Sequence, residues 1–199
     1  MVKKSVFGIG VCLLVLSFLV TTLHAADLDR LSRQVARLKL ERNGYVLGAA
    51  LNQDQIRTAM ANPVQASVPG TYKFQDNNLF VVVQETTHRV LVIYEQFEQA
   101  SQKQVQDLIG DLYINFEEPT IIAHEKVVYW AYSKTGKISV QAYDTAKKDK
   151  KTLDFIATVK CISDVKIMTK SKEPVQGMVY YVISSDPMLQ FFKDKIKIM

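Results

Sequence analysis

Asn52-Gln53-Asp54-Gln55-Ile56 and Ser101-Gln102-Lys103-Gln104-Val105 match in kind position by position, and what each stretch begins decides the fold. Asn52 and Ser101 are strong N-caps, because their side-chain oxygens can accept an N–H left free in the first helical turn. Gln55 and Gln104 stand three residues on, where an amide side chain reaches back to the N–H of the cap. Apolar residues follow at helical spacing: Ile56, Ala59 and Met60 in one, Val105, Leu108, Ile109 and Leu112 in the other. The first helix is expected to stop before Pro63 and the second at about Tyr113.

Each helix leads into strand-like runs. After the first come Tyr72 to Phe74, Leu79 to Gln84 and Arg89 to Tyr94, with turns at Asp76-Asn77-Asn78 and Thr86-Thr87-His88. After the second come Val127 to Tyr132, Ile138 to Tyr143 and Leu153 to Cys161, with Thr135-Gly136-Lys137 as a hairpin turn and Lys147 to Lys151 as a basic loop. The pattern predicts a tandem α-β-β-β unit over 52–94 and 101–161. A β-β-α segment, 164–199, follows: Val165 to Thr169, a Lys170 to Gln176 turn, Met178 to Ser184, and a helix from Asp186 with Pro187 at its first position. Ahead of the repeats, Leu28, Leu31, Val35 and Leu38 predict an amphipathic helix over Asp27 to Arg42, closed by Asn43-Gly44. Gly44 to Leu51 reads as a strand or a buried linker.

Strands joined by short connections, with few helices, indicate an α+β protein with a mainly antiparallel sheet in a single domain over 44–199. Val127 to Tyr132 and Val179 to Ile183 are apolar on both faces, so both are expected to be central, with Trp130 in the core. The run from Gln102 to Leu112 into Tyr129-Trp130-Ala131-Tyr132 resembles the tandem modules of the β-lactamase inhibitor protein and of small outer-membrane assembly lipoproteins. Those lipoproteins carry a lipidated cysteine and a Gly-x-Pro after the helix. Here Gly110 precedes Asp111-Leu112, and the first unit has only Asn62-Pro63, so no functional residue is carried over.

Residues 1–25 read as a secretory signal. Lys3 and Lys4 precede an apolar stretch densest from Val11 to Val20, and Ala25 is a suitable residue before a cut. An uncleaved anchor over Val6 to Leu23 is the alternative, and both place the folded part outside the cytoplasm, periplasmic or secreted. Cys12 lies inside the apolar run, not at its end after a small residue, so it does not fit a lipid anchor. Without residues 1–25 the formal net charge falls from +5 to +3, too little to argue for nucleic acid. The charge is uneven: residues 26–133 carry 10 basic and 13 acidic side chains, and residues 134–199 carry 13 and 7.

Catalytic equipment is sparse. Beyond residue 25 the chain has His88, His124 and Cys161, with no Cys-x-x-Cys or His-x-x-x-His pair, and no glycine-rich phosphate loop. His124 with Glu117, Glu118 or Glu125 could supply a metal site or a hydrolase-type centre; His124-Glu125-Lys126 also reads simply as a turn. Cys161 shares a strand face with Leu153, Phe155, Ala157 and Val159, an apolar setting that suppresses thiol reactivity. No catalytic residue, metal or cofactor is assigned. The chain is expected to be a non-enzymatic binding or envelope-assembly module that recognises a partner through a sheet face or edge. Candidate binding residues are Lys134, Lys137, Tyr143, Lys147, Lys148, Lys150 and Lys151, and the expected partner is an envelope protein, acidic peptide or glycan. Membrane contact is expected only through the N-terminal segment if uncleaved. The alternatives are the enzyme using His124, Glu117 and Glu118, and an anchored scaffold pairing through the 28–38 helix.

Overall fold

The computed structural model describes residues 26–66, 68–164 and 176–196. The expected signal segment and the expected strand Val165 to Thr169, with the turn after it up to residue 175, lie outside the described residues. Among the described residues no helix is long and apolar enough to cross a membrane.

Helix α1 covers 26–36 and ends earlier than its periodicity suggests. Asn43-Gly44 does not stop it; this pair forms the two-residue turn of a hairpin between β1 (Glu41–Arg42) and β2 (Tyr45–Val46), with φ of 51° and 81°. Asn-Gly suits both roles because it tolerates positive φ at successive positions. Both capping boxes form. In α2 (Gln53–Ala61) the Gln55 N–H donates to Asn52 Oδ1 at 2.9 Å, and the Asn52 N–H donates to Gln55 Oε1 at 3.0 Å. The reciprocal pair between Ser101 and Gln104 opens α3 (Gln102–Phe116). That helix runs through Gly110 and past Tyr113, with no proline to stop it until Glu117 turns out at φ 59°, two residues before Pro119.

Between and after the helices come β3 (Pro63–Val64), β4 (Thr71–Asp76), β5 (Leu79–Gln84), β6 (Val90–Ser101), β7 (Ile121–Ala123), β8 (Val127–Ser133), β9 (Gly136–Lys137), β10 (Ala157–Ser163) and β11 (Gln176–Ser184). These nine strands form one antiparallel sheet in the order β3-β4-β5-β6-β11-β10-β8-β7, with β9 added to β8. The fold is thus α+β, mainly antiparallel, with flanking helices. β6 and β11 pair at the centre. β6 extends seven residues beyond the expected end at Tyr94, since Glu95 faces the core and breaks the apolar pattern.

One expected strand is a helix. Ile138 to Tyr143 alternates in the manner of a strand, but Ser139 accepts the Ala142 N–H at 3.1 Å and caps α4 (Val140–Lys148). The Lys147 to Lys151 stretch is consequently a helix end and its exit, not a loop between strands. Lys150 sits at φ 55°, with the Lys150 N–H donating to the Lys147 carbonyl and the Lys151 N–H to the Ala146 carbonyl, a Schellman closure without glycine. Lys150→Gly is therefore expected to stabilise the protein by about 0.5–1 kcal/mol in urea unfolding. Helix α5 (Asp186–Ile196) is capped by Ser185, whose Oγ accepts the Met188 N–H at 3.3 Å, one residue earlier than the sequence suggests.

The two faces of the sheet differ sharply. Register aligns Phe74, Val81, Ile93, Ile183, Val159 and Trp130 in one row across six strands, every one of them 0% exposed. Tyr113 and Phe116 of α3 cover Trp130 at 5.9 and 6.0 Å, and its Nε1–H donates to the Glu117 carbonyl at 2.9 Å. The next row of this face contains Leu79, Glu95, Tyr181, Cys161 and Val128. Glu95 is held there by Arg42 through bonds of 3.1 and 2.9 Å, and the Arg42 guanidinium lies 5.1 Å over the Tyr181 ring. Helix α1 also packs inward, with Leu28 and Val35 buried and Leu31 and Leu38 partly so.

Burial pushes the Cys161 thiol and the Tyr132 phenol up to about 12, and raises Tyr45 and Tyr181 further. Such acids favour the folded state while protonated and oppose it once their unfolded forms ionise, at about 8.5 for a thiol and about 10 for a phenol. The urea midpoint is expected to hold up to about pH 8 and to fall steadily as pH rises toward about 12. At pH 8 an alkylating agent should leave the Cys161 peptide unmodified until denaturant is added, as read by mass spectrometry.

Candidate functional site: the open sheet face

The opposite face carries a row running Gln75, Phe80, Tyr94, Val182, Lys160, Tyr129 and Ile121. Strand alternation alone sends these side chains away from the helices that bury Trp130. All but Gln75, which is exposed, are half-buried. Beside this row lie Tyr180, Ile162 and Val127, with Ile162 at 37% exposure. The face is thus apolar and aromatic yet reached by solvent.

Two cations are held flat against its rings. Lys73 Nζ lies 5.9 Å from the Phe80 centroid and Lys160 Nζ 4.9 Å from the Tyr129 centroid. Phe80 in turn stacks on Tyr94 at 4.8 Å and 13°. A lysine above an aromatic face gains from the ring quadrupole and shields apolar surface with its methylene stem. Lys160 also reaches Asp186 at 3.5 Å, which ties β10 to the first turn of α5.

At that end the face deepens into a cavity of about 260 Å³, lined chiefly by Ile121, Tyr129, Tyr143, Phe155, Thr158 and Pro187. Tyr143 reaches it because Ser139 starts α4 beside β8, and the first turn of α5 supplies Pro187. A second hollow of similar size lies on the helical side between α3 and β6, but its cation, Arg42, is engaged by Glu95.

The structure separates the seven candidate residues. Tyr143 lies in the cavity. Lys147 follows it by one helical turn, and Lys148, Lys150 and Lys151 complete an exposed cluster in which Lys151 pairs with Asp149 at 2.9 Å. Lys134 is exposed in the β8–β9 turn. Lys137 lies elsewhere: its Nζ donates to the Phe116 carbonyl at 2.9 Å and to Glu117 Oε2 at 2.6 Å, closing the C-terminus of α3. That cation holds the Glu117 carboxyl below its usual range. Tyr129, Tyr143 and Tyr180 are half-buried on or beside the open face, whereas Tyr132 and Tyr181 are in the core. Phe80, Tyr94, Lys160 and Val182 escape a linear reading; cross-strand register is what brings them together.

The His124 arrangement does not converge. His124 and Glu125, at φ 52° and 55°, form the turn joining β7 to β8, while Glu117 lies at the other end of β7 beside Trp130. Among the described residues no group of three or more His, Cys, Asp or Glu could hold a metal ion. Cys161 is buried in the core, whereas His124 is exposed and His88 is half-buried with its Nδ1 2.9 Å from the Tyr72 hydroxyl. No known protein family, curated protein or solved structure matches the chain.

Proposed function

We propose that this protein is an exported, non-catalytic binding module that engages a partner protein through the open face of its sheet. The contrast between the two faces carries the reading: one is sealed by helices, the other leaves aromatic and aliphatic side chains within reach of solvent across six strands. An uncovered apolar face of this extent costs free energy in water unless something covers it in use. The edges favour the face as the contact surface. β3 has two residues and begins with Pro63, and β7 has three, so neither presents a long template for strand addition. The scaffold alternative draws no support, because the Leu28 to Leu38 helix already spends its apolar side on the domain itself.

A photoreactive side chain placed at Tyr94 or Val182 is expected to capture a partner in the producing cell, and one at Ile114, 82% exposed on α3, is not. Equal capture from both positions would remove the face from the account. Export is tested separately, by N-terminal sequencing of the protein found outside the cytoplasm: loss of about 25 residues is expected, and an intact Met1 would contradict cleavage. A duplicated unit belongs to the same proposal, with its second copy redrawn: because the expected strand Ile138 to Tyr143 leads into α4, the 101–161 stretch is not α-β-β-β, and the counterpart of α2 with β4 to β6 is α3 with β8, β10 and the later strand β11.

A further inference from the structure

We propose that the partner is a second copy of this chain, its open face packed on the first about a two-fold axis that runs along the strands between β6 and β11, an inference that rests on the sheet-face reading. Two stacked sheets lie about 10 Å apart with strands within about 30° of one another, so the axis runs either along the strands or across them. Row order selects between the two. Across the strands at this row, the axis would set Lys160 against Lys160. Along the strands, it reverses the row Gln75, Phe80, Tyr94, Val182, Lys160 and Tyr129 onto itself. Tyr94 then faces Val182 of the second copy, Phe80 faces Lys160, and Gln75 faces Tyr129. Lys160 already lies 4.9 Å from the centroid of its own Tyr129, and an opposing Phe80 gives that ammonium a second ring.

Charge and relief agree with this axis. The next row toward the cavity runs Lys73, Val82, Val92, Ser184, Thr158 and Ala131. Its two ends are unlike. Ser184, Thr158 and Ala131 are buried beside the first turns of α4 and α5, and Thr158 lines the cavity, whereas Lys73, Val82 and Val92 are half-buried. The axis lays the open end of one copy against the covered end of the other. Lys73 then arrives at the cavity of the second copy, whose charged lining residue is Asp186 and whose lining residues Tyr143 and Phe155 adjoin Asp144 and Asp154. Lys73, Asp144 and Asp154 form no ion pair among the described residues, and Lys160 reaches Asp186 only at 3.5 Å. The apolar walls suit the methylene stem of a lysine, and the carboxylates suit its ammonium.

The patch is also large enough. Six strands about 4.8 Å apart and three rows about 6.8 Å apart give about 600 Å² on each copy. A pair buries about 1,200 Å², the lower end of the range for stable, specific interfaces, and two-fold dimers are the commonest assembly of identical chains. That area points to dissociation at about micromolar concentration, so the free chain at nanomolar concentration keeps the face open.

The test is analytical ultracentrifugation of the purified protein across concentration. Dimer is expected to dominate at about 20 μM and monomer at about 50 nM. Val182→Glu should raise the dissociation constant at least about tenfold, and Lys73→Glu about tenfold. Adding Asp144→Lys and Asp154→Lys to Lys73→Glu should restore association, which a merely structural loss would not allow. The axis is tested by a short bismaleimide, for which buried Cys161 does not compete. Phe80→Cys mixed with Lys160→Cys should cross-link, and Lys160→Cys alone should not. Emission of Trp130, the one tryptophan, verifies that each variant is folded. A monomer at about 100 μM, a dimer indifferent to Val182→Glu, no rescue of Lys73→Glu, or cross-linking of Lys160→Cys to itself would overturn the inference. In the producing cell, capture from Val182 should give a product of twice the chain mass. If the protein were monomeric and that position captured a different protein, the second copy would be wrong and the sheet face would stand; loss of all capture would remove both.

Discussion

Gly48→Ala is expected to lower stability by about 3 kcal/mol, a large part of the roughly 5–15 kcal/mol that holds a domain together. Gly48 has φ of 80°, and a Cβ built there would meet the Ser32 carbonyl oxygen at 2.5 Å and the Ala36 nitrogen at 2.9 Å. Both obstacles are backbone atoms of α1 and its last turn, which cannot rotate aside. Nor can Gly48 retreat. Its N–H donates to the Val90 carbonyl at 2.8 Å, and its own carbonyl accepts from Arg89 at 3.1 Å. Gly44 supplies the control: its φ is 81° but a Cβ there meets nothing within 4 Å. Gly44→Ala should therefore show only the conformational cost, about 1 kcal/mol. Urea unfolding followed by Trp130 fluorescence separates the two, and equal losses would mean that the close approach of α1 to the linker contributes nothing.

The second large effect is expected at Arg42. Its guanidinium makes a two-pronged contact with Glu95, a residue 5% exposed on the core face. Arg42→Ala would leave that carboxylate buried without its counter-charge, at a cost of about 3–5 kcal/mol. The pair itself adds far less than this, because bringing both charges out of water offsets most of their attraction. Replacing both, with Arg42→Met and Glu95→Leu, should thus recover most of the lost stability in the same unfolding measurement. A double variant as unstable as Arg42→Ala would show that the ion pair is stabilising in its own right.

Glu95 also explains where sequence reading stopped short. Local chemistry was legible: Asn52 and Ser101 name their helices, Leu79 to Gln84 is a strand to the residue, and Trp130, Val159 and Cys161 lie where alternation sends them. What misled was any residue whose partner is distant. Glu95 points inward because Arg42, 53 positions away, meets it, so β6 looked shorter than it is. Ile138 to Tyr143 alternates like a strand, and only the Ser139 cap and the buried Ala146 mark it as a helix. The open face has the same character. Phe80, Tyr94, Val182, Lys160 and Tyr129 come from five strands, and nothing within one strand distinguishes them from core. Lys137 and Lys147 looked equivalent as basic residues; the fold uses the first to close α3 and leaves the second beside Tyr143.

The proposed function depends on one face of the sheet being sealed and the other open. Hydroxyl-radical footprinting of the free protein, read residue by residue by mass spectrometry, measures that difference directly. Phe80, Tyr94, Tyr129 and Tyr180 should be oxidised readily, while Phe74, Trp130 and Tyr181 should react only after unfolding. If Tyr94, Tyr129 and Tyr180 were protected to the level of Trp130, the face would already be covered within the chain, and the binding surface would have to be sought elsewhere.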